Sequence, residues 1–375
     1  MLTYRSRFLH PILLFLSCLV LSASCSSGEG GSSSRKDDSN LPKARGATGE
    51  IVLVMDSVLW KGELGRQVRR VFSDTVPGLP LPPEPKFNLR YVDPFKLNRL
   101  LRSAKNMLFV TVFDNKSRAS RKMQSYFTNE SVERIKSGED LFMYAKDNEF
   151  ARGQKILHLF GASEKDLISN LKKNKAGLQD YFEEVEKNRL AEKIYSVKPE
   201  RGIMNVIKED FKCSLRIPYD FDIAKQEEDF IWIRQLDREV DKSFIISYRP
   251  YTSETAFEKE NLIAWRNRIG KIYLADSKRV YMQTDSITPV YTREKNFNGH
   301  YAVEMRGLWR LSNNTMGGPF VSMGIVDEER NRFYYVEGYV YAPNKRKRNI
   351  MLEMETVLES FRILPAKEES SNPES

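Results

Sequence analysis

The chain reads as an α+β protein: a small N-terminal α/β unit followed by a C-terminal antiparallel-sheet domain with packed helices. Three observations carry that reading. Between residues 49 and 113, apolar runs such as Ile51-Val52-Leu53-Val54-Met55 and Met107–Phe113 alternate with stretches of helical spacing, the pattern of a sheet with parallel pairing. From residue 230 onward, strand-like segments follow one another across short turns, as antiparallel hairpins do. The composition, 41% hydrophobic and 30% charged over 375 residues, supports two cores of ordinary size and excludes wholesale disorder, collagen and coiled coil.

Residues 1–24 read as an export signal of the lipoprotein type. Arg5 and Arg7 give a positive start, Ile12–Leu21 is apolar but too short to span a bilayer, and Ser22-Ala23-Ser24 is a small-residue cleavage zone. Cys25 stands where such a signal places the cysteine that is lipidated, although Ser22 occupies the third position before it, where Leu is most common. Palmitate and related acyl chains, two or three together, give lasting attachment. Residues 25–48 are Ser/Gly-rich and form a flexible tether. Residues 366–375, AKEESSNPES, are a disordered tail. Loss of the leader lowers the formal charge from +9 to +7.

Residues 49–195 form the N-terminal α/β domain. A strand at Ile51–Met55 precedes a helix over residues 62–72, where Leu64, Val68 and Val71 share a face. A Pro-rich loop, Val76–Pro85, leads to a strand near Phe87–Val92, a helix after Pro94 and the strand Met107–Phe113. Ser163 can cap a single long helix, Ser163–Tyr195, with Asp166 completing an approximate capping box. Leu167, Leu171, Leu178, Phe182 and Val185 form its apolar stripe, and its length suits a link between two halves.

Residues 196–365 form the C-terminal α+β domain. Strands are expected at Phe230–Leu236, Ser243–Arg249, Tyr301–Leu311, Phe320–Val326 and Arg332–Ala342, with helices over Glu258–Ala275 and Asn349–Phe361. Alternation puts Tyr301, Val303, Met305, Gly307, Trp309 and Leu311 on a core face, with Glu304 and Arg306 opposite. In the last strand Tyr334, Val336, Gly338 and Val340 are expected inside, and Tyr335, Glu337, Tyr339 and Tyr341 outside. Met316-Gly317-Gly318-Pro319 is expected to turn through a glycine of positive φ.

These strands carry a resemblance. Gly299, Tyr301, Ala302, Glu304, Arg306, Gly307, Leu308 and Trp309, then Met316–Phe320, then Glu337–Pro343 with the basic Lys345–Arg348, resemble the domain-of-unknown-function family numbered 4837, lipoproteins of the Bacteroidota envelope. Gly49–Asp56 and Pro77-Gly78-Leu79-Pro80 fit as well, so the likeness is read over nearly all of residues 49–365. It implies an envelope location and a lipid anchor, and carries over no catalytic residue. Cys213–Tyr219 and the ending Leu358-Glu359-Ser360-Phe361 also resemble the PsbP-type α/β/α fold.

Four features are candidates for function. If the Glu304/Arg306 and Tyr335/Tyr339 faces coincide, then Glu304, Arg306, Tyr335, Glu337, Tyr339 and Tyr341 make a wall suited to a glycan or an acidic partner, by stacking and bidentate hydrogen bonds; the alternative is a solvated face, or one covered by a helix. Glu304 and Glu337 could also meet as the acid/base pair of an envelope hydrolase. Lys345, Arg346, Lys347 and Arg348 crowd the start of the last helix, where the dipole disfavours cations, and suit anionic lipid or an acidic partner. Ser57, Thr75 and Ser286 lie in Asp-Ser/Thr-aliphatic triplets that resemble an O-glycosylation acceptor of Bacteroidota envelopes. With Cys213 the lone cysteine after the leader, and His158 and His300 far apart, the sequence offers no metal or cofactor motif. Export argues against nucleic acid. The expectation is a lipid-anchored envelope protein, on the outer membrane with its domains in the periplasm or at the surface. It would bind or scaffold an envelope protein or peptidoglycan, and the reading leans away from an enzyme.

Overall fold

The computed structural model of the chain describes residues 38–80, 82–137 and 141–365. The export signal, Cys25, the first part of the tether and the tail lie outside these residues.

In the first half, β1 (Glu50–Val54) leads through α1 (Ser57–Lys61) and α2 (Glu63–Phe72) to the Pro-rich stretch, which forms a hairpin of β2 (Thr75–Pro80) and β3 (Pro83–Pro85). Then come β4 (Asn88–Val92), α3 (Arg99–Arg102), β5 (Asn106–Val112), α4 (Arg118–Gln124) and α5 (Asn129–Lys136). β6 (Met143–Asp147), β7 (Lys155–Gly161), α6 (Glu164–Lys173) and α7 (Lys175–Ile194) complete it. Among the described residues the sheet order is β4-β1-β5-β7-β6, with the first four strands parallel and β6 antiparallel at the edge. β5 is buried at every position, as a central parallel strand covered on both faces must be.

The single helix expected over Ser163–Tyr195 is two. Ser163 caps α6 through its hydroxyl, which accepts from the Asp166 N–H. Asn174 then ends α6: its side-chain amide donates to the Asn170 carbonyl at 3.0 Å, beside the backbone N–H that does the same. Such a side chain competes with the helix for its own carbonyls, and α7 starts afresh at Lys175.

The second half opens with α8 (Arg201–Phe211), β8 (Cys213–Ser214), β9 (Asp222–Glu227), β10 (Phe230–Gln235) and β11 (Asp241–Pro250). α9 (Lys259–Tyr273), β12 (Met282–Thr284), β13 (Tyr291–Phe297), β14 (His300–Leu311), β15 (Gly317–Asp327), β16 (Arg332–Tyr341), α10 (Arg348–Leu358) and β17 (Arg362–Ile363) follow. The main sheet is antiparallel in the order β12-β14-β15-β16-β11-β10-β9, with β13 also on β14; β8 and β17 pair separately. Both of its faces are covered. Ala302, Met323, Val336 and Val340 pack with α8 and α10 on one face, and Met305, Trp309, Phe333 and Tyr335 pack with Leu262 and Ile269 of α9 on the other.

Gly317 and Gly318 do not form the expected turn. They lie in β15, and the positive φ belongs to Asn314, at +60°. Gly318 is required for another reason: a Cβ there would stand 2.0 Å from the Val340 carbonyl oxygen, which accepts the Trp309 indole N–H.

Candidate functional site

The two halves meet along three features of the first. Leu79 at the tip of the β2–β3 hairpin buries itself in the core of the second half, with Val76 beside it. α7 packs on α2 with one side and on α10 with another. Glu84 of β3 reaches the start of α10, where its carboxylate accepts from the backbone N–H groups of Lys347 at 2.7 Å and Arg348 at 3.0 Å. A carboxylate on the free amides of a helix start opposes the charge conflict set up by the four cations there.

These contacts enclose a cavity of about 310 Å³. Its walls are Val76, Pro77 and Lys86 from the hairpin, Glu183 of α7, Tyr291–Arg293 of β13, Glu304 and Arg306 of β14, and Arg348, Leu352 and Glu355 of α10. Arg306 is the hub. Its Nε donates to Glu304 at 2.7 Å and its Nη1 to Glu355 at 2.6 Å. Lys187 of α7 continues the chain, 3.6 Å from Glu355 and 2.6 Å from Glu359, and Lys86 pairs with Glu183 at 2.5 Å. Lys295 and Arg293 lie 3.6 and 3.7 Å from the other oxygen of Glu304.

Burial alone would raise both carboxyls, but the cations outweigh it. Arg306, Lys295 and Arg293 hold Glu304 far below the ordinary carboxylate range, and Arg306 and Lys187 bring Glu355 down to about 2. Arg348 is lowered too, which in a guanidinium disfavours the charged form. Burial is the cause, only partly offset by Glu186, Glu183, Glu355 and Glu84.

The expected wall does not exist as one surface. Glu304 pairs across to Met323 and that to Val336, whereas Glu337 pairs across to Ser322 and that to Met305. With a side-chain period of two, Glu304 and Arg306 therefore point to the α10 face, and Tyr335, Glu337, Tyr339 and Tyr341 to the α9 face. Glu304 and Glu337 cannot meet as an acid/base pair. Glu337 is held instead by Arg266 of α9, which donates from Nε at 2.9 Å and Nη2 at 2.8 Å, and by the Tyr335 hydroxyl at 2.5 Å. Tyr335 and Tyr339 are buried and Tyr341 half-buried, Tyr339 edge-on to Trp309 at 5.5 Å.

The basic run is also divided. Lys345 and Arg346 are exposed, Lys345 pairing with Glu239 at 2.8 Å, while Lys347 is half-buried and Arg348 turns inward to the cavity. Ser57 is half-buried at the start of α1, and Thr75 and Ser286 are exposed. In each triplet the aspartate bonds to nearby backbone: Asp56 accepts from Val58, Asp74 from Thr75 and Asp285 from Thr288. Cys213 is fully buried in β8, and burial drives its thiol upward. His158 is stacked between Phe109 and Tyr144 at centroid distances of 4.8 and 4.3 Å, and burial brings it down to about 4. His300 opens β14, half-buried. Among the described residues, no three His, Cys, Asp or Glu side chains gather to hold a metal ion, and no helix is long and apolar enough to cross a membrane.

Sequence reasoning missed Glu84, Lys187 and Glu355. Glu84 and Lys187 carry no local signal, since each looks like an ordinary surface charge. Glu355 did: it follows Met351 by four positions and precedes Leu358 by three, which places a carboxylate inside the buried stripe of α10.

β13, β14 and α10, which supply most of the cavity lining, fall within residues 200–360, and these match the family model described as domain of unknown function (DUF4837). Ahead of this stretch, residues 44–195 match a different model, domain of unknown function (DUF8532). The resemblance read over nearly all of residues 49–365 is thus matched over residues 200–360, and Gly49–Asp56 and Pro77–Pro80 lie within the residues that match the other model. No curated protein matches the chain. Among solved structures, the Ran-binding protein Mog1p of Saccharomyces cerevisiae is similar at 8% identity and a TM-score of 0.29, over 42% of this chain and 92% of that one. A point mutant of Mog1 gives 8% and 0.28, over 42% and 93%. The α+β assignment of the second half rests on its own antiparallel sheet and flanking helices.

Proposed function

We propose that the chain is a lipid-anchored cell-envelope protein, held through Cys25 to the outer membrane, and that its DUF8532 and DUF4837 halves together form a binding or scaffolding module for an envelope partner or a cell-wall glycan. The observation that supports binding is the shared cavity: neither half encloses it alone, and its lining mixes apolar and charged groups, as ligand sites do. Its buried carboxylates are poor proton donors at neutral pH, since the cations around them keep Glu304 and Glu355 ionised. Such groups fix the orientation of a bound partner. The sequence around Cys25 supports the anchor, and the Ser/Gly-rich segment after it would let the body stand off the membrane.

Fractionation of cells expressing the full chain or Cys25→Ala tests the anchor. The wild type is expected in the membrane fraction and the variant in the soluble one; retention of the variant in membranes would overturn it. Cross-linking in intact cells, followed by purification and mass spectrometry, tests the module. One stoichiometric envelope partner, or a muropeptide adduct, is the expected result, and the absence of both counts against it.

A further inference from the structure

We infer that the cavity between the two halves binds a small organic oxyanion, a carboxylate or a phosphate monoester, through the guanidinium of Arg348. This rests on the binding reading above and names the ligand class.

The cations around the cavity are not equivalent. Arg306, Lys86 and Lys187 each have a carboxylate within 2.7 Å. Arg348 is only 7% exposed and lines the same cavity, yet among the described residues no carboxylate lies within 4.0 Å of its guanidinium. Its side-chain hydrogen bond goes to the neutral Asn349 amide oxygen at 2.8 Å, and its ring contact is with Phe87 at 5.3 Å. A buried charge without a direct counter-charge is unfavourable, and a guanidinium ordinarily escapes to water by extending its stem.

Here the guanidinium is kept in place. It rests on Gly49, whose φ of +74° and missing side chain make the seat: a Cβ there would stand 2.2 Å from Nη1. The seat is itself anchored, since the Gly49 N–H donates to Glu186 of α7 at 2.9 Å. The chain thus holds a planar donor fork, bonded to a neutral amide and paired with no carboxylate among the described residues, on a residue that lines a partly open cavity. That fork matches the two oxygens of a carboxylate or phosphate.

The rest of the lining suits the remainder of such a molecule. Val76, Pro77 and Leu352 offer apolar wall, while Arg293, its side chain 57% exposed, adds positive charge where the cavity opens. At about 310 Å³ the space takes a compact ligand, the lower end of the usual range of roughly 300–1,000 Å³. The carboxylates nearby are occupied by Arg306, Lys86 and Lys187, so direct contact with Arg348 is what an incoming anion gains.

The test titrates the purified full chain with benzoate, phenyl phosphate and the neutral benzyl alcohol, by calorimetry and by hydrogen exchange. Binding of either oxyanion but not the alcohol is expected, with exchange protection at residues 291–293 and 348–352. Which probe binds separates carboxylate from phosphate. Arg348→Gln should weaken that binding at least tenfold. Failure of both oxyanions to bind, protection elsewhere on the chain, or undiminished binding in a folded Arg348→Gln would overturn the inference. If that variant does not fold, the wild-type protection map decides. A captured envelope partner together with negative titrations would sink this inference and leave the module reading standing.

Discussion

Glu84 and Arg348 are 264 positions apart in the chain, yet the carboxylate of one accepts the backbone N–H of the other at 3.0 Å and that of Lys347 at 2.7 Å. This bond crosses from the first half to the first turn of α10, so a helix of one half is capped by a side chain of the other. Glu84→Ala removes both acceptors and should cost about 1–2 kcal/mol. Glu84→Gln keeps an acceptor but drops the charge that opposes the cations, and should cost about half as much. Urea denaturation of the two variants checks the order, and equal stability for all three proteins would contradict it.

The bidentate Arg266–Glu337 pair beneath α9 makes a sharper prediction, because both side chains are almost wholly buried. Glu337→Ala leaves a guanidinium without its counter-charge and should cost about 3–5 kcal/mol. Replacing both partners with apolar residues, Arg266→Met with Glu337→Leu, should recover most of that loss. A double variant as unstable as the single one would show that the pair does more than satisfy its own burial.

Acid should weaken the ion pairs of the cavity. Glu355 titrates at about 2 against an ordinary value of 4.5, and Glu304 is also depressed. A depressed carboxyl contributes stability that is complete above its unfolded value and is lost as pH falls through the folded one. The loss therefore runs from about 4.5 down to about 2, on the order of 3 kcal/mol for Glu355. Because both carboxyls pair with the buried Arg306 and repel each other, Glu304→Gln should enlarge the effect of Glu355→Gln, since the second loss leaves the guanidinium without a counter-charge. A double-variant cycle at pH 7 measures that coupling.

His158 predicts a separate window at higher pH. It stays neutral in the fold down to about 4, against an ordinary 6.5, through burial first and the charge of Lys146 second. The unfolded chain therefore takes up a proton that the folded chain refuses, and stability falls as pH drops from 6.5 toward 4. His158→Phe keeps a ring between Phe109 and Tyr144 and removes a buried Nδ1 that has no partner. The variant should gain stability over the wild type at pH 5 and little at pH 7. An unchanged difference between those two pH values would count against this account.

The elements were legible where a pattern repeats within one strand or helix. β1, β5, α2 and α9 announce themselves by apolar spacing, and Ser163 by its cap. β6, at the edge with three of its five positions exposed, carries charges and little hydrophobicity, so periodicity had nothing to register. The division of Glu304 from Glu337 lay in the pairing register through β15, which no single strand encodes. Gly318 shows the same limit. Its glycine was visible, but the close approach of the Val340 carbonyl that demands it belongs to a neighbouring strand. The cavity itself escaped, although Glu304, Arg306 and Arg348 were among the candidates, because its members come from β2, α7, β13, β14 and α10, and only folding brings them together.

Adjacent residues of α7 serve opposite masters. Glu186 accepts from Gly49 and from the Asn106 side chain in the first half, and Lys187 pairs with Glu355 of α10 and with Glu359 just past its end in the second. Cut apart, the first half would leave Lys187 without either carboxylate, and the second would open Glu355 and Arg306 to water. Each half therefore holds charges that only the other neutralises.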